Sequence, residues 1–147
     1  MTIYALSTAH GVSGLAVIRV SGHLALTALK TLTRKSHFKI SVMTRADFHE
    51  PESGRLIDKG LCVYFAKPKS FTGEDVVEIH VHGSQIVIDK ILHSLGTIQN
   101  VRMAEPGEFT KLAFQNGKIN LLKAESIADL ISAETEIQRL QAVKIMQ

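Results

Sequence analysis

Cysteine is nearly absent from this sequence, in which Cys62 is the only thiol. One cysteine excludes an intrachain disulfide and any zinc site built on paired cysteines, and it favours a reducing, intracellular setting. No stretch approaches the ~18 uninterrupted apolar residues of a transmembrane helix, and the first ten residues lack the basic and apolar regions of a secretory signal. We therefore expect a cytoplasmic protein that has no membrane partner.

The common motifs of nucleotide and acyl-transfer enzymes are also missing. The sequence contains no Gly-x-x-x-x-Gly-Lys-Ser/Thr loop, no Gly-x-Gly-x-x-Gly after a strand, and no Gly-x-Ser-x-Gly elbow. Its 17 Lys and Arg exceed its 14 Asp and Glu by only three, and no basic run is interleaved with aromatic residues, so the indication of a nucleic-acid partner is weak. We expect these residues alone to hydrolyse no nucleotide.

What is present is the composition of a folded domain. The 147 residues are 45% apolar and 21% charged, which is typical of a globular protein that can bury its own core. Short apolar or alternating stretches predict strands at residues 15–20, 55–57, 61–65, 76–82 and 101–104. The first of these is apolar on both faces, which predicts a buried strand, and residues 36–54 are predicted to form a surface excursion.

Apolar residues at helical spacing predict the helices between these strands. Ser21 is predicted to cap the first helix, Ser84 precedes the second, and Pro106 is predicted to begin a third that stops at residues 116–117. Asn120 is predicted to cap a further helix, and residues 134–147 are helical in composition. Strands mixed with helices indicate an α/β or α+β domain built on a mixed sheet with flanking helices.

One strand carries a row of polar side chains. The two-residue period of residues 76–82 places Glu78, His80 and His82 on one face and three apolar side chains on the other. This row is compatible with a solvated strand face, with a metal site, and with a site for an organic ligand. The spacing alone does not decide among the three interpretations.

Arg19 and Cys62 are the other notable residues within apolar strands. A guanidinium in an apolar strand needs a carboxylate, a phosphate or ligand oxygens, because its desolvation is otherwise uncompensated. A structural pair with Asp or Glu, an arginine that reaches solvent, and a ligand contact all remain open for Arg19. Cys62 is predicted to be a small core residue.

Four stretches, taken in order, resemble the N-terminal domain of the MnmE/TrmE tRNA-modification GTPase family. They are residues 14–22, residues 70–83 (Ser-Phe-Thr-Gly-Glu-Asp-Val-Val-Glu-Ile-His-Val-His-Gly), residues 104–110 and residues 116–131. The resemblance spans nearly the whole chain. It implies a fold similar to the folate-binding domain of one-carbon enzymes at residues 1–119, followed at residues 120–147 by the start of a helical domain.

The resemblance further implies a homodimer that binds a tetrahydrofolate derivative of the 5-formyl type. The family's folate contacts fall on Arg19, Glu78 and Lys118, and no catalytic or metal-binding residue is implied for this chain. Glu78 suits the amino group and ring N–H of a pterin, since one carboxylate can accept both hydrogen bonds. Arg19 and Lys118 would supply donors and positive charge to the oxygens of the ligand.

In the whole family protein, the resemblance implies GTP hydrolysis and modification of the wobble uridine of tRNA with a flavin-dependent partner protein. GTP, Mg²⁺ and K⁺ would bind in a GTPase domain beyond Gln147, so the chain alone is expected to bind without catalysing. Two alternatives compete with this interpretation. One is a small metal-dependent hydrolase using Glu78, His80 and His82; the other is a ligand-free dimerisation module, favoured by departures from the family pattern at residues 8–14 and 83–85.

Overall fold

The computed structural model describes residues 1–7, 14–119 and 131–139. Within these residues one six-stranded sheet has the order β3-β4-β5-β2-β1-β6. All neighbouring strands are antiparallel except β1 and β6, which are parallel. The predicted mixed sheet with flanking helices, an α/β fold, is therefore confirmed. The strands are β1 Thr2–Leu6, β2 Leu15–Ser21, β3 Thr44–His49, β4 Leu56–Phe65, β5 Val76–His82 and β6 Val101–Met103.

Two helices cover one face of the sheet, and their apolar stripes form the main core. They are α1 (Ala25–Thr33) and α2 (Gln85–Gly96). The side chains predicted to line these stripes are all buried, and so is Cys62 on β4, as predicted. The spacing i, i+3, i+4, i+7 thus identified both buried faces correctly. The stripe residues are Ala25, Ala28, Leu29, Leu32, Ile88, Ile91, Leu92 and Leu95.

The predicted cap of the first helix is wrong. Ser21 is the last residue of β2, and α1 begins only at Ala25, after Leu24, which makes no side-chain capping hydrogen bond. The Ser21 hydroxyl instead forms hydrogen bonds with Thr72 and Glu74. The Ser21 hydroxyl therefore bonds to residues distant in the sequence and does not cap the helix as the local pattern predicted. In α2, Ser84 is the N-cap, and its Oγ accepts a hydrogen bond from the backbone N–H of Val87.

Two further predictions failed at the β3–β4 edge. Residues 36–54 are not only a surface excursion, because they contain β3, in which buried Ala46 and Phe48 alternate with polar residues. The two strands predicted at residues 55–57 and 61–65 are one continuous strand, β4, which begins at Leu56. Gly60 permits this, because a Cβ atom there would lie 2.1 Å from the backbone oxygen of His80. The glycine serves close strand packing rather than a turn.

The strand β2 is less buried than predicted. Its residues 16, 18 and 20 are buried, but Leu15 is 47% exposed and Val17 and Arg19 are half-buried. The reason is that α1 and α2 cover only one face of the sheet at this strand. We call the other face, where it carries Leu15, Val17, Arg19, Glu78 and His80, the open face.

A third helix, α3 (Glu108–Gln115), covers the β1 and β6 end of the opposite face through Ile3, Ala5 and Phe109. Pro106 does not begin this helix as predicted, because Gly107 adopts a left-handed conformation (φ 75°) immediately before Glu108. The predicted stop is confirmed by the C-cap Asn116 and by Gly117 at φ 73°.

A further helical stretch follows at residues 131–139. The helix predicted to start at Asn120, and the end of the last predicted helix, lie outside the described residues. The division at residues 119 and 120 stays a prediction. Across the ranges described, none of the helices has the length and apolar character needed to span a bilayer.

Candidate ligand-binding site

Strand pairing brings Arg19 and Glu78 together on the open face. The two residues are register partners on β2 and β5. Arg19 Nε donates a hydrogen bond of 3.2 Å to Glu78 Oε2, and Nη2 lies 3.2 Å from the same oxygen. Their side chains are only 24% and 19% exposed, so each charge offsets the desolvation of the other. Arg19 therefore has the carboxylate partner that one of its three interpretations required.

His80 approaches the other oxygen of the same carboxylate. The predicted alternation of β5 is confirmed, since Val77, Ile79 and Val81 are buried and the polar side chains lie between them. His80 Nε2 lies 3.1 Å from Glu78 Oε1, at hydrogen-bond distance. This contact, together with the positive charge of Arg19, holds the pKa of Glu78 below its ordinary value despite partial burial. Glu78 is thus an ionised acceptor near neutral pH.

Phe71 lies against the guanidinium of Arg19. The Arg19 Cζ atom is 4.7 Å from the centre of the Phe71 ring, which is 40% exposed. Two hydrogen bonds hold the turn that carries Phe71. Thr72 Oγ1 is 2.7 Å from Ser21 Oγ at the end of β2, and Asn116 Nδ2, at the end of α3, donates to the Thr72 carbonyl at 2.6 Å. A fixed aromatic ring therefore forms part of the surface beside the Arg19–Glu78 pair.

Lys118 lies against the same turn, at Gly73, which is two residues beyond Phe71. A Cβ atom built on Gly73 would be 3.4 Å from Lys118 Cε. The Lys118 backbone N–H donates to the Ala113 carbonyl, which fixes the chain just after α3. No ion pair or hydrogen bond links the Lys118 side chain to Arg19 or Glu78 among the described residues. The structure therefore joins Arg19 and Glu78 directly and places Lys118 against the turn that carries Phe71.

His82 does not act with Glu78 and His80. Its Nδ1 atom lies 2.9 Å from Asp58 Oδ2, and its backbone N–H donates to the same oxygen at 2.9 Å. In the portion of the chain that the structure describes, no three His, Cys, Asp or Glu side chains are arranged to hold a metal ion. The geometry gives no support to the metal-dependent hydrolase.

A cavity of about 240 Å³ is lined in part by Arg19 and in part by side chains of residues 131–139. Glu134 in that segment accepts hydrogen bonds from the backbone N–H groups of Phe109 and Thr110, each at 3.1 Å, and from Thr110 Oγ1 at 2.6 Å. The side chains that line the cavity are mainly apolar and aromatic around the single guanidinium. They include Leu6, Arg19, Phe71, Phe109, Thr110 and Ile137.

Phe71 and Glu134 are site residues that sequence reasoning missed. The exposed phenylalanine in a polar turn was a usable signal, because large apolar residues rarely stand alone in such turns. Glu134 gave no signal, since an acid in a helical stretch is ordinarily a solvated surface residue. The role of Glu134 depends on its contact with Thr110 of α3, which lies 24 residues earlier in the sequence.

Comparison with known proteins identifies the family to which this chain is related. Residues 2–118 match the protein family described as GTP-binding protein TrmE N-terminus. Similar proteins include the tRNA modification GTPase MnmE of Pelagibacter ubique (strain HTCC1062), 58% identical over 146 residues, and that of Parvibaculum lavamentivorans, 49% identical over 146 residues. The MnmE protein of Rickettsia bellii is 52% identical over 143 residues.

These alignments cover 97 to 99% of this chain but only 32 to 33% of the relatives' length. The chain thus spans about a third of the relatives it matches. A match to four-fifths of the chain by one family, together with identities near one half, is decisive for kinship. The chain belongs to the TrmE N-terminal family.

Proposed function

We propose that this chain binds a reduced folate on the open face of its sheet, with Glu78 holding the pterin. The observation that carries the proposal is the Arg19–Glu78 pair, in which a half-buried carboxylate is kept ionised beside a guanidinium that itself lines a cavity together with Phe71 and Phe109. An ionised acceptor beside a recess suits a flat ligand that presents two adjacent N–H donors.

Glu78 retains the capacity for this task. A carboxylate offers about four lone-pair positions. Arg19 approaches Oε2 through both Nε and Nη2, whereas His80 approaches Oε1 through one nitrogen. In the proposed complex, one pterin N–H takes the remaining lone-pair position of Oε1, and the neighbouring N–H shares Oε2 with Arg19. The residues present thus fit a 5-formyl-tetrahydrofolate-like ligand.

Arg19 and Lys118 supply the positive charge in this proposal. Arg19 is the guanidinium that lines the cavity, and Lys118 lies against the turn that carries Phe71. A folate has a carboxylate-bearing tail, which needs cationic partners at the end of the site away from the pterin. Lys118 suits that role, because a lysine side chain can adjust its position while its backbone stays fixed.

The chain is also proposed to pair with a second copy of itself. Leu15 and Leu61 are 47% and 38% exposed, and both face the side of the sheet that carries His80, since their register partners are His82 and His80. Exposed leucines on a part of the sheet that α1, α2 and α3 leave uncovered favour burial against a partner. A symmetric homodimer is the simplest such arrangement.

In the wider protein, we propose that this folate-binding unit serves a GTPase that modifies the wobble uridine of tRNA. The support is the relatives' name, tRNA modification GTPase MnmE, and the high identity over this third of their length. GTP, Mg²⁺ and K⁺ would act in another part of such a protein, and a flavin-dependent protein and tRNA would be its partners. The chain by itself binds and does not catalyse.

The proposal is tested by thermal unfolding of the 147-residue chain with and without 5-formyl-tetrahydrofolate. A ligand at 100 times its dissociation constant stabilises the folded state by about 2.7 kcal/mol, which for a chain of this size raises Tm by roughly 5 to 10 °C. Glu78→Ala should abolish that rise, and Glu52→Ala, at an exposed turn position, should preserve it. No rise in the wild type, or a full rise in Glu78→Ala, would refute the proposal and would favour a ligand-free dimerisation module.

A further inference from the structure

Residues 131–139 are anchored to α3 at three points. Glu134 accepts two backbone hydrogen bonds and one hydroxyl hydrogen bond at the first turn of the helix. Gln138 Oε1 accepts a hydrogen bond of 3.3 Å from the backbone N–H of Gly107. A Cβ atom on Gly107 would lie 2.8 Å from Ile131 Cγ2, so the two segments approach as closely as a glycine allows.

The chemistry of the Glu134 anchor is that of a helix cap supplied from outside the helix. The first N–H groups of a helix have no partner within it, and α3 has no capping side chain of its own, because Gly107 is the N-cap. A carboxylate at this position satisfies two of these donors and interacts favourably with the helix dipole. Phe109 and Thr110 are both 4% exposed, so without Glu134 their N–H groups would be buried and unpaired.

The same segment forms one wall of the cavity beside Arg19. Ala133, Glu134 and Ile137 line it together with Arg19 and Phe71. Because these three residues belong to the segment, the recess has this wall only when residues 131–139 lie against α3. Whatever fixes this segment therefore fixes the shape of the recess next to the Arg19–Glu78 pair.

We propose that Glu134 is a positioning residue of the ligand site: by capping α3 it holds residues 131–139 as the wall of the cavity, so ligand binding and docking of this segment reinforce each other. The inference rests on the proposed function, since it assumes that the folate occupies the space beside Arg19. Glu134 acts through the segment that it positions. Linkage requires the effect to be reciprocal: a docked wall strengthens ligand binding, and bound ligand stabilises the docked wall.

The experiment compares Glu134→Gln with Glu136→Gln in the 147-residue chain. Both are acids of the same helical stretch, but Glu136 is exposed and pairs with Arg139 on the surface. Thr110→Val is the second test variant, because it removes one hydrogen bond to Glu134 while keeping the shape of the side chain. Hydrogen exchange of residues 107–112 and 131–139 is measured with and without 5-formyl-tetrahydrofolate, and the dissociation constant is measured by calorimetry.

Glu134→Gln should speed exchange in both segments and weaken ligand binding by about tenfold, since a charge-assisted cap of buried donors is lost. Thr110→Val should act in the same direction to a smaller extent, and Glu136→Gln should change neither quantity. In the wild type, ligand should slow exchange at residues 131–139. Unchanged affinity in Glu134→Gln, while the wild type binds, would overturn this inference alone. A wild type that binds no folate would overturn the proposed function and the inference with it.

Discussion

At the scale of single residues, the account depends on the ionisation of Glu78. Its carboxylate receives a hydrogen bond from His80 and faces the guanidinium of Arg19, and its pKa is lowered as a result. A carboxyl group whose pKa is lower in the folded than in the unfolded chain stabilises the fold above its ordinary pKa of about 4.3, and this stabilisation is lost as the pH falls through the folded-state value.

This sign leads to a prediction for acid unfolding. Between about pH 7 and pH 3, the free energy of unfolding of the wild type should fall more steeply than that of Glu78→Gln, with a difference on the order of 1 kcal/mol for a partly exposed pair. Urea unfolding at a series of pH values measures both slopes, and Glu52→Gln serves as the matched control at an exposed site. Identical slopes in wild type and Glu78→Gln would show that the Arg19–Glu78–His80 contacts do not favour the ionised form.

At the scale of elements, the sequence predicted most of the fold where periodicity was long and clean. The boundaries of β5 and the buried stripes of α1 and α2 follow directly from it. The failures were local. Ser21, Gly60 and Pro106 are residue types that signal a cap, a turn and a helix start. Tertiary contacts give Ser21 and Gly60 other roles, and the left-handed backbone of Gly107 starts α3 after Pro106.

The residues of the candidate site likewise differ in how far local sequence patterns could predict them. Alternation placed Glu78 on the polar face of its strand, whereas the strand of Arg19 was predicted to be buried on both faces. Only the β2–β5 register makes the two residues partners. Lys118 was named through the family resemblance, and its position beside Gly73 depends on how α3 packs against the turn. The role of Glu134 could not be predicted from the sequence, because no local pattern specifies which helix a distant carboxylate will cap. Long-range pairing is the information that the sequence pattern does not contain.

At the scale of the whole molecule, the open face of the sheet is the feature that predicts assembly. Leu15 and Leu61 lie on it, and α1 and α2 cover only the opposite side. We expect the chain to sediment as a dimer at micromolar concentration, and Leu61→Asp to convert it to a monomer because a charge in an apolar interface is costly.

Sedimentation equilibrium provides the measurement for this prediction. Ile86→Asp is the matched control, since Ile86 is 68% exposed on α2, on the other side of the sheet. Circular dichroism would verify that both variants are folded. A wild-type monomer at micromolar concentration, or a Leu61→Asp variant that still dimerises fully, would place the interface elsewhere or remove it.

The central claim is that Arg19, Glu78 and Lys118 serve one reduced folate, and calorimetric titration of 5-formyl-tetrahydrofolate into Lys118→Ala and Lys111→Ala tests it most directly. Lys118 touches the turn beside the cavity, whereas Lys111 is an exposed lysine of α3. We predict one ligand per chain for the wild type and Lys111→Ala, and binding weakened by about tenfold or more in Lys118→Ala, as expected for a lost charge-assisted contact. Equal affinity in the two lysine variants would contradict the claim.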